Sequence, residues 1–409
     1  MWLMVVQRLK GGAGLGAAVL ELLRGLPSSF WPRPCKRIRD WQQQGKAPSS
    51  HAGAYNQARQ ELPLAVVQQS CARIFHELMA QSKRCSEDEP AGRAFLLDGS
   101  SMRLAHSAEL CQLYPAGSNQ HGEGHWPLLK IVVAHDLQTG LAIRPEWGPM
   151  HGPKAVSEQA LVERAIERLP AGSVVVGDAN FGVFSVAWAA TEKQYPIVLR
   201  LTAARVQRLA GDALRDGMDS IVDWKPSAYE RKQHPELPPK ALVRGRLIVR
   251  QVQPDNGGNP FLIALFTTLT EPEKDVLHLY GQRWRIETDL RTLKSTLKLD
   301  QLTCSTPDMV AKEIEMAMAT YNLVRALICH ASEHSALPPR GYSFSQVQRI
   351  VETFAPLLAA AKDSGEAKRI FDQMIRYVQQ AKLPRCRKKR SSYPREIWGK
   401  GAKFPNRKT

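Results

Sequence analysis

Three acidic residues stand in settings that suit work on phosphorus. Asp98 closes the apolar start of LLDGSSMRL (96–104), and Asp178 closes the β-branched run of VVVGDANFG (174–182). Each run reads as a buried strand, so a carboxylate emerges where the strand meets a turn. Aspartate beside glycine also makes ordinary turns and caps, and that reading stands for either residue alone. Two such strands together offer hard oxygen ligands, which a cation such as Mg²⁺ prefers, usually taking one or two carboxylates plus substrate phosphate.

The third acid, Glu287, lies in YGQRWRIETDLRTLK (280–294). At about 100° per residue, Tyr280, Arg283, Glu287 and Lys294 fall at roughly 0°, 300°, 340° and 320°, on one helix face about 60° wide. Leu279, Ile286, Leu290, Leu293 and Leu297 gather at roughly 220° to 280° on the same count, so the polar face borders the buried stripe. Asp289 falls at roughly 180° and is the poorer candidate. The plainer reading is a solvent-facing helix with i, i+4 pairs from Arg283 to Glu287 and from Glu287 to Arg291, each worth about 0.2 to 0.5 kcal/mol.

A chain of 409 residues with 43% hydrophobic and 23% charged residues is folded material, larger than one ordinary compact domain. Its 56 Lys and Arg against 39 Asp and Glu leave a net charge of +17, a field that attracts polyanions. Nucleic acid is the leading partner, and a membrane surface is the rival that charge alone leaves open. The seven cysteines are scattered without a C-x-x-C pair, which reads as a reduced, cytosolic protein without a cysteine metal site. His106, His121, His125 and His135 lack tight ligand spacing. The apolar stretch Gly11 to Leu23 contains Glu21 and is too short to span a bilayer.

The elements that must position the three acids follow from periodicity. Residues 1–90 read as helical, with segments at Ala17 to Leu26 and Pro63 to Met79, and with Arg33, Lys36, Arg37 and Arg39 between Trp31 and Trp41 as a DNA-binding module. The acidic run Glu87-Asp88-Glu89-Pro90 marks a boundary. From 91 to 201, strands are expected at Phe95 to Leu97, Leu128 to Ala134, Leu141 to Pro145, Val174 to Val176 and Ile197 to Leu201, with helices at Ser157 to Leu169 and Val183 to Gln194. Residues 202–266 read as a β-rich insertion, with strands at Val243 to Val252 and Phe261 to Thr268 around the turn Asp255-Asn256-Gly257-Gly258. Trp224 within it is either a packing residue or a platform for an unstacked base. Thr270 and Glu273 form a capping box that opens one helix to about Leu297, and Pro307 opens another. Residues 336–409 are a helical region, Phe344 to Leu383, ending in a flexible basic tail from Lys382 with eleven Lys or Arg and one acid.

The three motifs together resemble the DDE transposases of bacterial insertion sequences. The branch is the IS-four family, whose pattern Y-x2-R-x3-E-x6-K is matched by Tyr280, Arg283, Glu287 and Lys294. The resemblance implies an α/β, ribonuclease-H-like catalytic core (91–201 and 267–335) interrupted by the β-rich insertion, with helical N-terminal and C-terminal additions. It places Asp98 on the first strand, Asp178 after the fourth and Glu287 on a helix beyond the insertion. It implies that Asp98, Asp178 and Glu287 hold two ions of Mg²⁺ or Mn²⁺, while Tyr280, Arg283 and Lys294 contact DNA. The implied reaction is in-line phosphoryl transfer: water frees a 3′ hydroxyl at the element's end, and that hydroxyl attacks target DNA. Double-stranded DNA, at element ends and target, is the implied partner, and a homodimer in the bacterial cytoplasm, associated with the nucleoid, the implied setting. A nuclease of the same fold, and an inactive DNA-binding relic, are the alternatives.

Overall fold

The computed structural model describes residues 1–25, 43–45, 51–82, 92–119, 122–211, 215–253, 259–300 and 302–383. The basic and aromatic cluster from Trp31 to Trp41, the acidic boundary at 87–90, the turn at 255–258 and the tail from 384 lie outside the described residues.

The chain opens with helices Trp2–Leu9, Leu15–Gly25, Ala52–Glu61 and Leu64–Gln81. The strands that follow are β1 (Arg93–Arg103), β2 (Ser118–Asn119), β3 (Gly122–Glu123), β4 (Leu128–Asp136), β5 (Glu146–Pro149), β6 (Ser173–Gly177), β7 (Ile197–Arg200), β8 (Met218–Trp224), β9 (Val243–Val252) and β10 (Phe261–Thr267). Eight of them form one sheet in the order β5-β4-β1-β6-β7-β10-β9-β8, and β2 and β3 pair apart. The pairings β1–β6 and β6–β7 are parallel, and every other one in the large sheet is antiparallel. The strands between 202 and 266 therefore extend the central sheet and do not form a sheet of their own.

Period-two alternation divides the apolar residues between the two faces. Phe95, Leu97 and Val175 pack with the helices Glu158–Ile166 and Phe184–Glu192. Ala94, Leu96, Val174 and Val176 pack on the opposite face, where the 27-residue helix Pro307–Glu333 lies. That helix is buried along most of its length, and several of its polar side chains are paired: Arg8 pairs with Glu313 at 2.6 Å, Arg144 with Glu315, and Asn322 exchanges two 2.8 Å bonds with the backbone of Ala142. Two further helices, Phe344–Ala360 and Ser364–Gln380, close the same layer. Among the described residues no helix is long and apolar enough to cross a membrane.

Several local expectations give way. Leu141 to Pro145 is no strand. Only Ala142 bridges His135 there, flanked by the Asp136 N–H to Leu141 and Ile143 N–H to Ala134 bonds, while Asn322 binds the outward-facing groups of Ala142; the register then slips by one residue and the edge strand resumes at Glu146–Pro149. The capping box at Thr270 does not form. Pro272 caps the Glu273–Gly281 helix, and Glu273 instead pairs with Arg250. The single helix expected to reach Leu297 is broken in two places. A 3₁₀ turn occupies Gln282–Trp284, an α segment runs Arg285–Arg291, and a π segment covers Thr292–Thr296.

Candidate active site

The parallel register of β1 and β6 places the two aspartates. Leu96 pairs with Val176, and Asp98 and Asp178 each follow two residues later, on neighbouring strands about 4.8 Å apart. Their parity matches Leu96 and Val176, so both carboxylates rise on the face that carries the long helix. β6 ends at Gly177, whereas β1 runs on to Arg103 paired only with β4. Asp98 thus sits inside its strand, where β1 outruns its parallel neighbour and the sheet opens a notch.

Each aspartate also accepts hydrogen bonds from nearby backbone N–H groups. Asp98 Oδ1 accepts the Gly99 N–H at 2.8 Å, and Asp178 Oδ1 accepts the N–H of Asn180 at 2.9 Å and that of Phe181 at 3.4 Å. The turn after Asp178 lies tight against the next strand, because a Cβ on Gly182 would stand 2.1 Å from the Arg200 carbonyl oxygen. Burial pushes the Asp98 carboxyl up to about 6. The Gly99 N–H opposes this, the charge of Asp178 adds to it, Arg283 opposes it and Glu287 adds to it. The carboxylates are therefore close enough to repel one another.

The interrupted helix brings the remaining motif residues to the same notch. The segment Arg285–Arg291 packs on β1, and Ile286 and Leu290 bury its apolar side. Arg283 is buried, donates from Nη2 to Glu287 Oε1 at 3.3 Å, and lies 4.9 Å from the ring centre of the exposed Trp284. Tyr280 is buried, and burial raises its phenol above the ordinary range. The Tyr280 hydroxyl and Arg283 Nε are both buried without a hydrogen-bond partner among the described residues. Lys294, carried by the π segment, reaches back to β1, with Nζ 3.0 Å from Ser100 Oγ and 3.4 Å from the Ser101 carbonyl.

Among the described residues, no three Asp, Glu, His or Cys side chains stand ready-made as a metal cage. Glu287 is engaged by Arg283 at 3.3 Å. The donor set still suits a hard divalent cation. Carboxylate oxygens are the ligands such an ion prefers, and its positive charge would offset the burial penalty on the charged form of Asp98.

Sequence reasoning missed Glu158 and Asn180. Glu158 opens the helix after β5, and its carboxyl group would lie 2.9 Å from a Cβ on Gly99, so glycine beside Asp98 makes room for it. It also accepts a bond from the Asn180 side chain, and Gln159 Nε2 holds the Asn180 carbonyl at 3.0 Å. The only signal in the sequence was Ser157 at the helix start, which does cap that helix at Ala160 N. Trp224 is buried and meets Phe266 edge-on at 4.9 Å and Phe184 at 6.1 Å, so it packs and offers no face to a base. His135 is fully buried, and burial lowers its imidazole to about 4, leaving it neutral.

Residues 89–323 match the family model described as "Transposase DDE domain". The transposase InsG for insertion sequence element IS4, from Escherichia coli strain K12, is 25% identical over 377 residues, covering 88% of this chain and 79% of that protein. A solved synaptic complex of piggyBac transposase with hairpin DNA aligns at a TM-score of 0.39 and 12% identity, over 72% of this chain and 58% of that one. The family match spans the first aspartate strand, the second aspartate turn and the whole of the Tyr-Arg-Glu-Lys segment. The chain belongs to the DDE transposases, in the family of the IS4 transposase.

Proposed function

We propose that this transposase cuts DNA at the ends of its insertion sequence and joins the freed 3′ hydroxyl to target DNA, with Asp98, Asp178 and Glu287 as its catalytic metal ligands. The observation that supports this most directly is the register Leu96–Val176, which sends both aspartates to one notch beneath the helix of Glu287. Counting the strands of the large sheet in chain order, Asp98 lies on the first and Asp178 follows the fourth, the placement a ribonuclease-H-like core requires. On this reading 91–201 and 267–335 form the core, 202–266 is an insertion within it, and 1–90 and 336–409 are helical additions.

Two ions of Mg²⁺ or Mn²⁺, when bound, would activate the attacking oxygen and stabilise the leaving one. The chain's own residues do the rest. Asp98 supplies its carboxylate once deprotonated, and Asp178 does so from a turn already fixed by two backbone N–H groups. Glu287 exchanges its bond to Arg283 for a place beside the aspartates, which frees that guanidinium for a DNA phosphate. The buried Tyr280 hydroxyl and Arg283 Nε, both lacking partners, suit the same phosphate. Lys294, resting on Ser100 of β1 in the free protein, turns to the adjoining phosphate.

In the first step water adds to the phosphorus at the element's end, the P–O3′ bond breaks, and the 3′ oxygen leaves as a hydroxyl. In the second that hydroxyl adds to a target phosphorus and displaces another 3′ oxygen. Two ends must meet, so the acting form is a homodimer, at the bacterial nucleoid. The test is incubation of the full chain with Mg²⁺, a duplex carrying the element's own terminal repeats, and a target plasmid. Joined products support the reading. Cut products without joining reduce the protein to a nuclease, and binding without cutting to a relic.

A further inference from the structure

Asp289 lies two residues past Glu287 and is fully buried, unlike its neighbour. Its two oxygens are held by different arginines. Oδ1 accepts from Arg325 Nη2 at 2.7 Å and from the Tyr321 hydroxyl at 3.1 Å, and Oδ2 accepts from Arg340 Nη1 at 2.7 Å. Arg325 also donates from Nε to the Tyr321 hydroxyl at 3.0 Å. The His135 ring stands 3.8 Å from Oδ2, with its Nδ1 3.2 Å from the Gly140 carbonyl. Burial acts to raise the Asp289 carboxyl, but Arg340 and Arg325 outweigh it and hold it below its ordinary value.

Arg340 makes the long-range link. Besides Asp289 it donates to the carbonyls of Asp136, at 2.8 Å, and Leu137. Asp136 ends β4 and Leu137 follows it, and His135 and Asp136 pair with Leu96 and Phe95 of the Asp98 strand. A continuous path of directional bonds therefore joins the helix of Glu287 to the strand of Asp98, through a residue on the helix's other side.

A buried ion pair is a weak source of stability, since desolvation offsets most of the attraction and apolar replacements often do as well. Its directionality is what apolar packing lacks. The segment Arg285–Arg291 is seven residues long, with a 3₁₀ turn before it and a π segment after it. The backbone stays helical across both junctions, but the 3₁₀ turn and the π segment change its winding, so tertiary contacts set the rotation of the segment between them. Two residues correspond to about 200° of turn, so drawing Asp289 toward the two arginines sends Glu287 to the other side.

We propose that Asp289, clamped by Arg325 and Arg340, is a positioning residue that fixes the rotation of the Glu287 helix against the strand of Asp98. This rests on the catalytic role proposed for Glu287. The experiment compares the full-length protein with Asp289→Asn and Arg340→Met for thermal stability, affinity for the terminal-repeat duplex, metal-free amide exchange over 285–291, and cleavage as Mg²⁺ is varied. Both variants are expected to keep DNA affinity, to exchange faster over 285–291, and to cut about 10- to 100-fold more slowly with a raised Mg²⁺ requirement, as for other groups that orient a ligand. Should Asp289→Asn fail to fold, Arg340→Met decides, because the Arg325 bond remains. The combined Asp289→Leu, Arg325→Met and Arg340→Met variant is expected to regain stability and still cut slowly. Cutting at the wild-type rate and Mg²⁺ requirement, in Arg340→Met or in the combined variant, overturns the proposal. A wild-type chain that never cuts counts against the catalytic reading itself.

Discussion

Asp98 and Asp178 each stand two residues beyond the paired Leu96 and Val176, on adjacent parallel strands of which only the first continues. Sheet geometry alone therefore brings the two carboxylates together, before any helix packs over them.

The raised Asp98 carboxyl gives a pH prediction for the metal-free protein. Burial lifts it from 3.8 to about 6, so the folded chain binds a proton more tightly than the unfolded chain does. Stability from this group is full below the unfolded value and is lost as pH rises from about 4 through 6. Asp98→Asn removes the penalty, and should stabilise the metal-free protein at pH 7 by on the order of 1 kcal/mol after solvent screening. The gain should vanish near pH 4. Chemical denaturation at both pH values checks it, and a variant less stable than wild type at pH 7 contradicts it.

Lys294 bonds to Ser100 in the free protein and is assigned to a DNA phosphate in the complex. Lys294→Ala should weaken binding about equally for all sequences, and should lower the slope of log affinity against log salt by about 0.9, the share of one phosphate contact. Binding titrations from low to physiological salt read this directly. An unchanged slope removes Lys294 from the interface.

Trp224 is a packing residue between Phe184 and Phe266. Trp224→Ala should cost about 3 to 5 kcal/mol of stability. Trp224→Phe, which keeps a ring in the gap, should cut DNA at the wild-type rate per folded molecule. A Phe variant that folds normally but fails to cut would return Trp224 to the DNA interface.

Much of the site was legible because it follows from short-range rules. Alternation and glycine punctuation located the strands of Asp98 and Asp178, and helical spacing separated Glu287 from Asp289, which do face opposite ways. What stayed hidden depends on partners distant in sequence. Asn322 binds the outward-facing groups of Ala142 where the edge strand slips register, and Arg250 takes the Glu273 carboxylate that a capping box would have used. Asp289 ranked as a poor candidate because it points away from the site, and nothing nearby in sequence announces Arg325 or Arg340 as its partners. The 3₁₀ and π breaks carry no proline to mark them. Glu158 became visible only once Gly99 was seen to face it.

The central claim is that Asp98, Asp178 and Glu287 together hold the ions that cut DNA, and replacing Glu287 tests it most directly. Cleavage of the terminal-repeat duplex by Glu287→Ala should be measured in Mg²⁺ beside its affinity for the same duplex. The account predicts a loss of at least about 10²- to 10³-fold in cleavage, the scale for removing a group that stabilises transition-state charge, with binding retained. Cleavage by Glu287→Ala at the wild-type rate would contradict it.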